Sequence, residues 1–330
     1  MLRLETFPKI DAHFHSTFYD PLYEKIANDY HVKYININTN AGVFPSMEIQ
    51  ENVAFAYVKR APVHFAYIAS FEMQGWENPN WYRDVFERLK KSIDQGAVGV
   101  KIWKNIGMEI LKPDDQSYLM IDDPFFDPLF VYLSKNKIPV LTHLGEPKNC
   151  WLPIEEMTSE RNKAYYIKNP EFHAYLHPEI PTYKRQIDAR DYLITKYPDL
   201  TLIGAHLGSL EWSYEELAKR FDQYSNFYVD LSSRLGHLQM QSVNDYEGVR
   251  NFFIKYADRI MYGTDAYNNP EKLTSSLIND WKYFTTNKQC ESIEVNGTFK
   301  GIHLPEEVLY QLYYINAQSI YPGLNVEIHS

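Results

Sequence analysis

Histidine and aspartate side chains close several of the apolar runs along this chain. His13 and His15 end KIDAHFH, His143 ends IPVLTH, His206 ends LTLIGAH, and Asp265 follows RIMYGT. Each is followed by small or polar residues. His13 and His15 are two apart, and side chains alternate faces along a strand, so both imidazoles point the same way. Neutral imidazole and carboxylate are ligands for zinc and similar divalent ions. One such residue alone is most simply a hydrogen-bonded or solvent-facing side chain, but a set at successive strand ends reads as a metal site.

The elements that must position this set are eight short strand-like runs: 9–15, 33–39, 63–71, 97–103, 138–143, 200–206, 227–231 and 259–264. Several are almost wholly apolar, as strands of a parallel sheet covered by helices should be. Helical patterns fill the gaps at 81–95, 127–136, 183–197, 214–224 and 249–257. The alternation has no clear linker and predicts a closed (β/α)8 TIM barrel, an α/β fold in one domain over 1–330. An open doubly wound sheet is the rival, yet neither GxGxxG nor GxxxxGK[ST] occurs. Two stretches exceed the barrel minimum. The segment 147–181, after strand five, is long and rich in proline and aromatics; it is either an active-site lid or a surface excursion packed on itself. After strand eight come a hairpin over 293–304, with its turn at Asn296-Gly297, and a helix over 305–320 that closes the barrel.

A net charge of -10 argues against nucleic acid or an anionic membrane as partner. A small-molecule substrate is expected, and a homo-oligomer is compatible with the sequence. Cys150 and Cys290 are too few for a disulfide framework, and no leader pattern or membrane-length apolar run is seen, so a cytoplasmic enzyme is expected.

These motifs carry a resemblance. Asp11-Ala12-His13-Phe14-His15, Thr142-His143-Leu144-Gly145, Gly204-Ala205-His206-Leu207-Gly208, Tyr262-Gly263-Thr264-Asp265 and the late Ile315-Asn316-Ala317 resemble the amidohydrolase superfamily. Within it they resemble the amidohydrolase-related branch that includes aminocarboxymuconate semialdehyde decarboxylase-like proteins. The resemblance implies His13, His15, His143 and Asp265 around one divalent metal, zinc by preference, with manganese, iron or nickel as alternatives. His206 is then a catalytic acid/base or a ligand of a second metal, and Asp265 the general base.

Lys101, at the end of strand four, leaves the metal count open. In some branches of the superfamily the chain resembles, a lysine on strand four is carboxylated and bridges two metals, which would give His13, His15, Lys101 and Asp265 to one and Lys101, His143 and His206 to the other; as a free ammonium Lys101 binds an anionic substrate group, and otherwise it is structural. Arg234 is either a carboxylate clamp or a surface ion pair. Glu146 could orient a ligand histidine or a substrate hydroxyl. Trp103, Tyr19 and Tyr267 lie just past strand ends, as pocket walls or as packing. His173 and His177 fall between Pro170 and Pro178 and are read as loop residues, not ligands. The reading is a metal-dependent hydrolase of an amide, lactone or ester in a small polar, anionic substrate, acting through a metal-activated water. The rivals are a metal-dependent decarboxylase and a non-catalytic ligand-binding barrel.

Overall fold

The computed structural model describes residues 2–324; residue 1 and residues 325–330, the ends of the expected 1–330 domain, lie outside the described residues. The apolar runs form parallel strands β1 (Lys9–His15), β2 (Val32–Ile37), β3 (Phe65–Ser70), β4 (Ala97–Ile102), β5 (Val140–Thr142), β6 (Leu202–Gly204), β7 (Phe227–Asp230) and β8 (Ile260–Met261). They pair in sequence order, and a last strand, β9 (Ala266–Tyr267), pairs with β1. β8 and β9 are two halves of one passage of chain. The first half pairs with β7 and the second with β1. Between them Ala12 N–H donates to Tyr262 O at 2.9 Å, and Asp265 N–H to His13 O at 2.8 Å. Those bonds close the ring, which is the expected (β/α)8 barrel. Strand eight is interrupted, not continuous over 259–264, because Asp265 adopts a left-handed conformation, φ 55°.

Two apolar cores follow from this closure. Ile10, Ile35, Ile68, Leu141, Ile203 and Met261 fill the barrel interior, where Tyr314, Ala317 and Tyr321 of the C-terminal segment pack against them. The larger core lies between strands and surrounding helices. The helix Trp81–Asp94 shows the logic: Trp81, Val85, Leu89 and Ser92 recur every three to four residues and are its buried face. Among the described residues no helix is long and apolar enough to cross a membrane.

Two strands carry one extra residue where the chemistry begins, β1 around His13 and β4 just before Lys101. Residues 11 to 14 of β1 span the same register as 34 to 36 of β2, and residues 97 to 100 of β4 the same as 67 to 69 of β3. Such bulges re-aim the side chains that follow. In β4 the interior residue is Val98, and after the bulge Val100 belongs to the outer core.

The C-terminal hairpin is displaced from its expected place. Its strands are Gln289–Ser292 and Val295–Lys300, with Ser292 opposite Val295, so Ile293-Glu294 make the turn. Asn296-Gly297 lies inside the second strand, and Gly297 takes φ 86° there. Burial decides the register over local turn preference: the Glu294 carboxylate is buried and accepts from the Ser159 hydroxyl in the 147–181 segment, with Arg161 3.6 Å away. The final helix is interrupted by a π-helical turn over Gln311–Ile315, and Asn316 then donates to Ala257 O and Ile260 O at 2.7 Å each, holding the entry to β8.

After β6 the chain makes a rare turn. His206, Leu207, Gly208 and Ser209 all have φ of 59°. Left-handed geometry costs a non-glycine residue about 1–2 kcal/mol. The turn is held from several sides. Asp230 Oδ1 accepts His206 N–H at 2.8 Å, Ser209 Oγ donates to Leu144 O at 2.9 Å, and the buried Arg190 guanidinium donates to Gly208 O. Gly204 permits it, since a Cβ there would lie 2.6 Å from Gly208 Cα. Gly204→Ala is therefore expected to destabilise the fold by about 3 kcal/mol, read as a lower urea midpoint. An unchanged midpoint would show that the turn is not closely packed.

Candidate metal centre and active site

The ends of β1, β6, β7 and β8 converge on one point. His13 Nδ1 meets Asp230 Oδ2 at 2.7 Å, and His15 Nδ1 meets Ile37 O at 2.9 Å. Both bonds place the ring proton on Nδ1 and leave Nε2 as the free ligand atom. Those Nε2 atoms stand 3.6 and 3.5 Å from the same oxygen, Asp265 Oδ1. The three atoms fit one divalent ion. Burial, reinforced by His13, pushes the His15 imidazole down to about 3. It is then neutral at pH 7, as a metal ligand must be. Burial opposes ionisation of Asp265, but His206, His13 and His15 outweigh it and hold the carboxyl well below its usual range. Asp265 Oδ2 accepts from the Ser233 hydroxyl at 2.6 Å.

His206 lies beside this triad, its ring 4.8 Å from that of His13. Its Nδ1 faces Ser232 O at 2.8 Å, which leaves Nε2 as an acceptor. Burial lowers its pKa to about 3. His143 packs on His206 and Trp103, with ring centroids 4.3 and 4.7 Å away. Its Nδ1 is buried and has no partner. Among the described residues two groups of acid and imidazole ligand atoms lie within 4.8 Å of one another: His13, His15, Asp265 and His13, His206, Asp230. The expected fourth ligand, His143, is in neither.

Asp230, which the sequence reading passed over, is the hub of the second group. Besides His13 Nδ1 it accepts from His206 N–H at 2.8 Å, from Ser232 N–H at 3.2 Å and from the Ser232 hydroxyl. A carboxylate at the end of an apolar strand, FYVD, was the available signal.

Lys101 is fully buried and its Nζ has no hydrogen-bond partner. Burial pulls its pKa down to about 8, while Asp230 and Asp265 act against that fall, so it remains an ammonium at pH 7. Lys104, not singled out in the sequence, pairs with Glu146 and lies 5.0 Å over the Trp103 ring. Glu146 therefore meets a lysine, not a histidine. Lys101, Lys104 and Arg234 all act on His143. Arg234 itself donates to Ser233 O at 3.0 Å.

The two tyrosines lie apart from this cluster. Tyr19 points its hydroxyl at Glu24 and its ring takes the Arg60 guanidinium at 5.1 Å, on the flank of the helices Pro21–Tyr30 and Met47–Arg60. Tyr267 packs on Phe44 at 4.8 Å, and Phe44 on His15 at 5.0 Å, so it stands one ring removed. The 147–181 segment builds a small core of Cys150, Met157, Tyr166 and Ala174. It is tied to the site's surroundings by Lys148 N–H to Glu211 at 2.8 Å. His173 and His177 flank its short 3-10 turns Pro170–Phe172 and Ala174–Leu176 and meet the backbone oxygens of Leu152 and Pro170 at 2.8 and 3.2 Å.

The sequence profile described as Amidohydrolase matches residues 10–323. The chain belongs to the amidohydrolase family. No curated protein matches the sequence. Among solved structures, an uncharacterised TIM-barrel protein from Bordetella bronchiseptica matches at 15% identity and a TM-score of 0.56, over 95% of this chain and 98% of that one. A dihydroxybenzoic acid decarboxylase from Polaromonas sp. JS666, with bound manganese and the inhibitor 2-nitroresorcinol, matches at 16% identity and a TM-score of 0.54, over 95% and 96%. A 5-carboxyvanillate decarboxylase from Sphingomonas paucimobilis matches at 13% and 0.51, over 95% and 98%. At such identities the likeness is one of fold.

If Asp230 orients His13 for metal binding, Asp230→Asn should weaken divalent-metal affinity by about 10–100-fold. Competition against a chromophoric chelator reads this directly, and an unchanged affinity would remove Asp230 from that role.

Proposed function

We propose that this amidohydrolase is a metal-dependent hydrolase that opens an amide, lactone or ester bond in a small anionic molecule. The observation that supports it most is the buried Lys101 ammonium, which has no partner, in a site where burial, then His206, Lys104, Lys101 and Arg234, keep His143 neutral. A hydrolytic transition state gathers negative charge on one oxygen, and fixed cations beside neutral imidazoles favour it over the ground state. Decarboxylation moves charge out of a carboxylate, and cations around that carboxylate stabilise the starting state most.

His13, His15 and Asp265 would hold one divalent metal, with His143 as the further ligand; zinc suits this nitrogen-rich set, and manganese is the ion in the Polaromonas structure. When bound, the metal supplies Lewis acidity, polarising the scissile bond and lowering the pKa of water. Asp265 takes and returns the proton. Its Oδ2 is oriented by the Ser233 hydroxyl at 2.6 Å and retains lone-pair capacity. His206 Nε2 faces the reacting group as an imidazole whose tautomer is set by Ser232 O. Lys101, as an uncarboxylated ammonium, faces the oxygen that gathers charge, Arg234 takes the anionic group of the substrate, and the 147–181 segment keeps bulk water from the site.

The second reading is a non-oxidative decarboxylase, favoured by decarboxylases, those of Polaromonas and Sphingomonas among them, whose structures match almost end to end. In it Lys101 or Arg234 holds the departing carboxylate and His206 stabilises the charge left behind.

The test is a panel of lactones, amides, esters and carboxylic acids, including dihydroxybenzoates, given to zinc- or manganese-loaded protein. Acid release without CO2 is expected, and Asp265→Asn is expected to abolish it while keeping much of the metal. CO2 release would replace the hydrolase by the decarboxylase. Full turnover by a metal-loaded Asp265→Asn variant would remove the proton-transfer role. Absence of both turnover and metal uptake would favour a non-catalytic binding barrel.

A further inference from the structure

A cavity of about 420 Å³ lies outside the barrel, past the exits of β7 and β8. Leu231 and Leu235, which line it, belong to the core between strands and helices. Its other walls come from Ser233 and Thr264, from the helices Leu235–Asn244 and Pro270–Thr285, and from the hairpin turn at Ile293-Glu294. His13, His15 and Asp265 do not line it. Ser233 stands between the two places, since its hydroxyl donates to Asp265 Oδ2 at 2.6 Å.

Glu294 is held in this wall against local preference. The hairpin forgoes its Asn296-Gly297 turn to bury it. The neighbouring helix carries glycine where it passes, because a Cβ on Gly236 would lie 2.4 Å from Glu294 Cγ. One carboxylate oxygen, Oε2, accepts from the Ser159 hydroxyl. The other, Oε1, is buried without a hydrogen-bond partner, and Arg161 stops 3.6 Å away. The Ser292 hydroxyl on the same wall is also buried and unpartnered. Asp280 lines the cavity too, its Oδ2 accepting from the Tyr262 hydroxyl at 2.9 Å. Burial pushes that carboxyl up to about 7, so an arriving cation would favour its ionised form.

Native interiors rarely leave a carboxylate oxygen without a donor. Charge on these walls is also sorted by depth. The Glu294 side chain is 3% exposed and that of Arg161 41%. Lys272 is exposed as well, and of the lining acids only Glu291 is. Anions therefore lie deep, and cations prevail at the rim. A molecule with an ammonium at one end and a carboxylate at the other matches that order. The volume is within the range that small-molecule sites occupy.

We propose that this cavity is a second small-molecule site, separate from the metal centre, for an amino-acid-like zwitterion whose ammonium donates to Glu294 and whose carboxylate meets Lys272. The site needs no particular reaction at the metal centre and stands apart from the hydrolase reading.

The test measures binding to metal-loaded protein by calorimetry or ligand-observed NMR. The probes are 4-aminobutyrate, butyrate and butylamine, which share a four-carbon chain, with β-alanine and 5-aminovalerate to bracket the charge separation. The best zwitterion is expected to bind about tenfold tighter or more than butyrate or butylamine, the size of a hydrogen bond to a charged group. Glu294→Gln keeps the shape without the charge and should remove most of that preference. Lys272→Met should weaken the zwitterion and leave butylamine unchanged; at an exposed position, it carries the test where the Glu294 variant fails to fold. Both variants should keep the metal content of wild type. Equal affinities in wild type, or an undiminished preference in either folded variant, overturns the site. A zwitterion that lowers the metal content binds at the metal centre instead and overturns it too, as does a crystal soaked in 4-aminobutyrate with water alone in the cavity.

Discussion

A carboxylate with no access to water sits at the end of β7, and the arrangement above it depends on that charge. Asp230 is fully buried, and burial alone would neutralise it. The His13 imidazole, the backbone N–H groups of His206 and Ser232, and the Ser232 hydroxyl hold it ionised. In return it fixes the tautomer of His13 and anchors the left-handed turn that carries His206. A buried ion with incomplete partners is costly, whereas one saturated with donors rigidifies what surrounds it. One side chain thus orients the His13 imidazole and fixes the backbone that carries His206, residues from strands distant in sequence.

The same end of the barrel departs from regular geometry wherever a chemical group must be aimed. β1 carries a bulge that contains His13, and β4 one just before Lys101. His206, Ser233 and Asp265 all have positive φ. Strain of this kind persists only where surrounding bonds overdetermine it, and it clusters at functional sites. The opposite end is regular and apolar, filled by Ile10, Ile35 and Met261 and packed by the C-terminal segment. Stability and chemistry are segregated along the barrel axis, as the parallel strand arrangement requires.

The strand order, the closed barrel and the convergence of His13, His15, His206 and Asp265 were legible in the sequence, because uninterrupted apolar runs ending in imidazole or carboxylate have few other meanings. The bulges were not, since an extra residue in a strand leaves composition and spacing almost unchanged. Asp230 looked like any strand-end aspartate; its role appears only when β1 and β6 are brought beside β7. The Asn296-Gly297 turn fails for a tertiary reason, as burial of Glu294 against Ser159 fixes the hairpin turn three residues earlier. Tyr19 was placed by proximity to a strand end, but the chain leaves β1 toward the outer helices and takes that ring with it.

The proposed metal site is His13, His15 and Asp265 around one ion, beside an uncarboxylated Lys101. Elemental analysis of protein purified without chelator or histidine tag measures this most directly. About one divalent ion per chain is the predicted result. About two would contradict the free Lys101 ammonium, and none, with no uptake on adding zinc or manganese, would contradict the metal site itself.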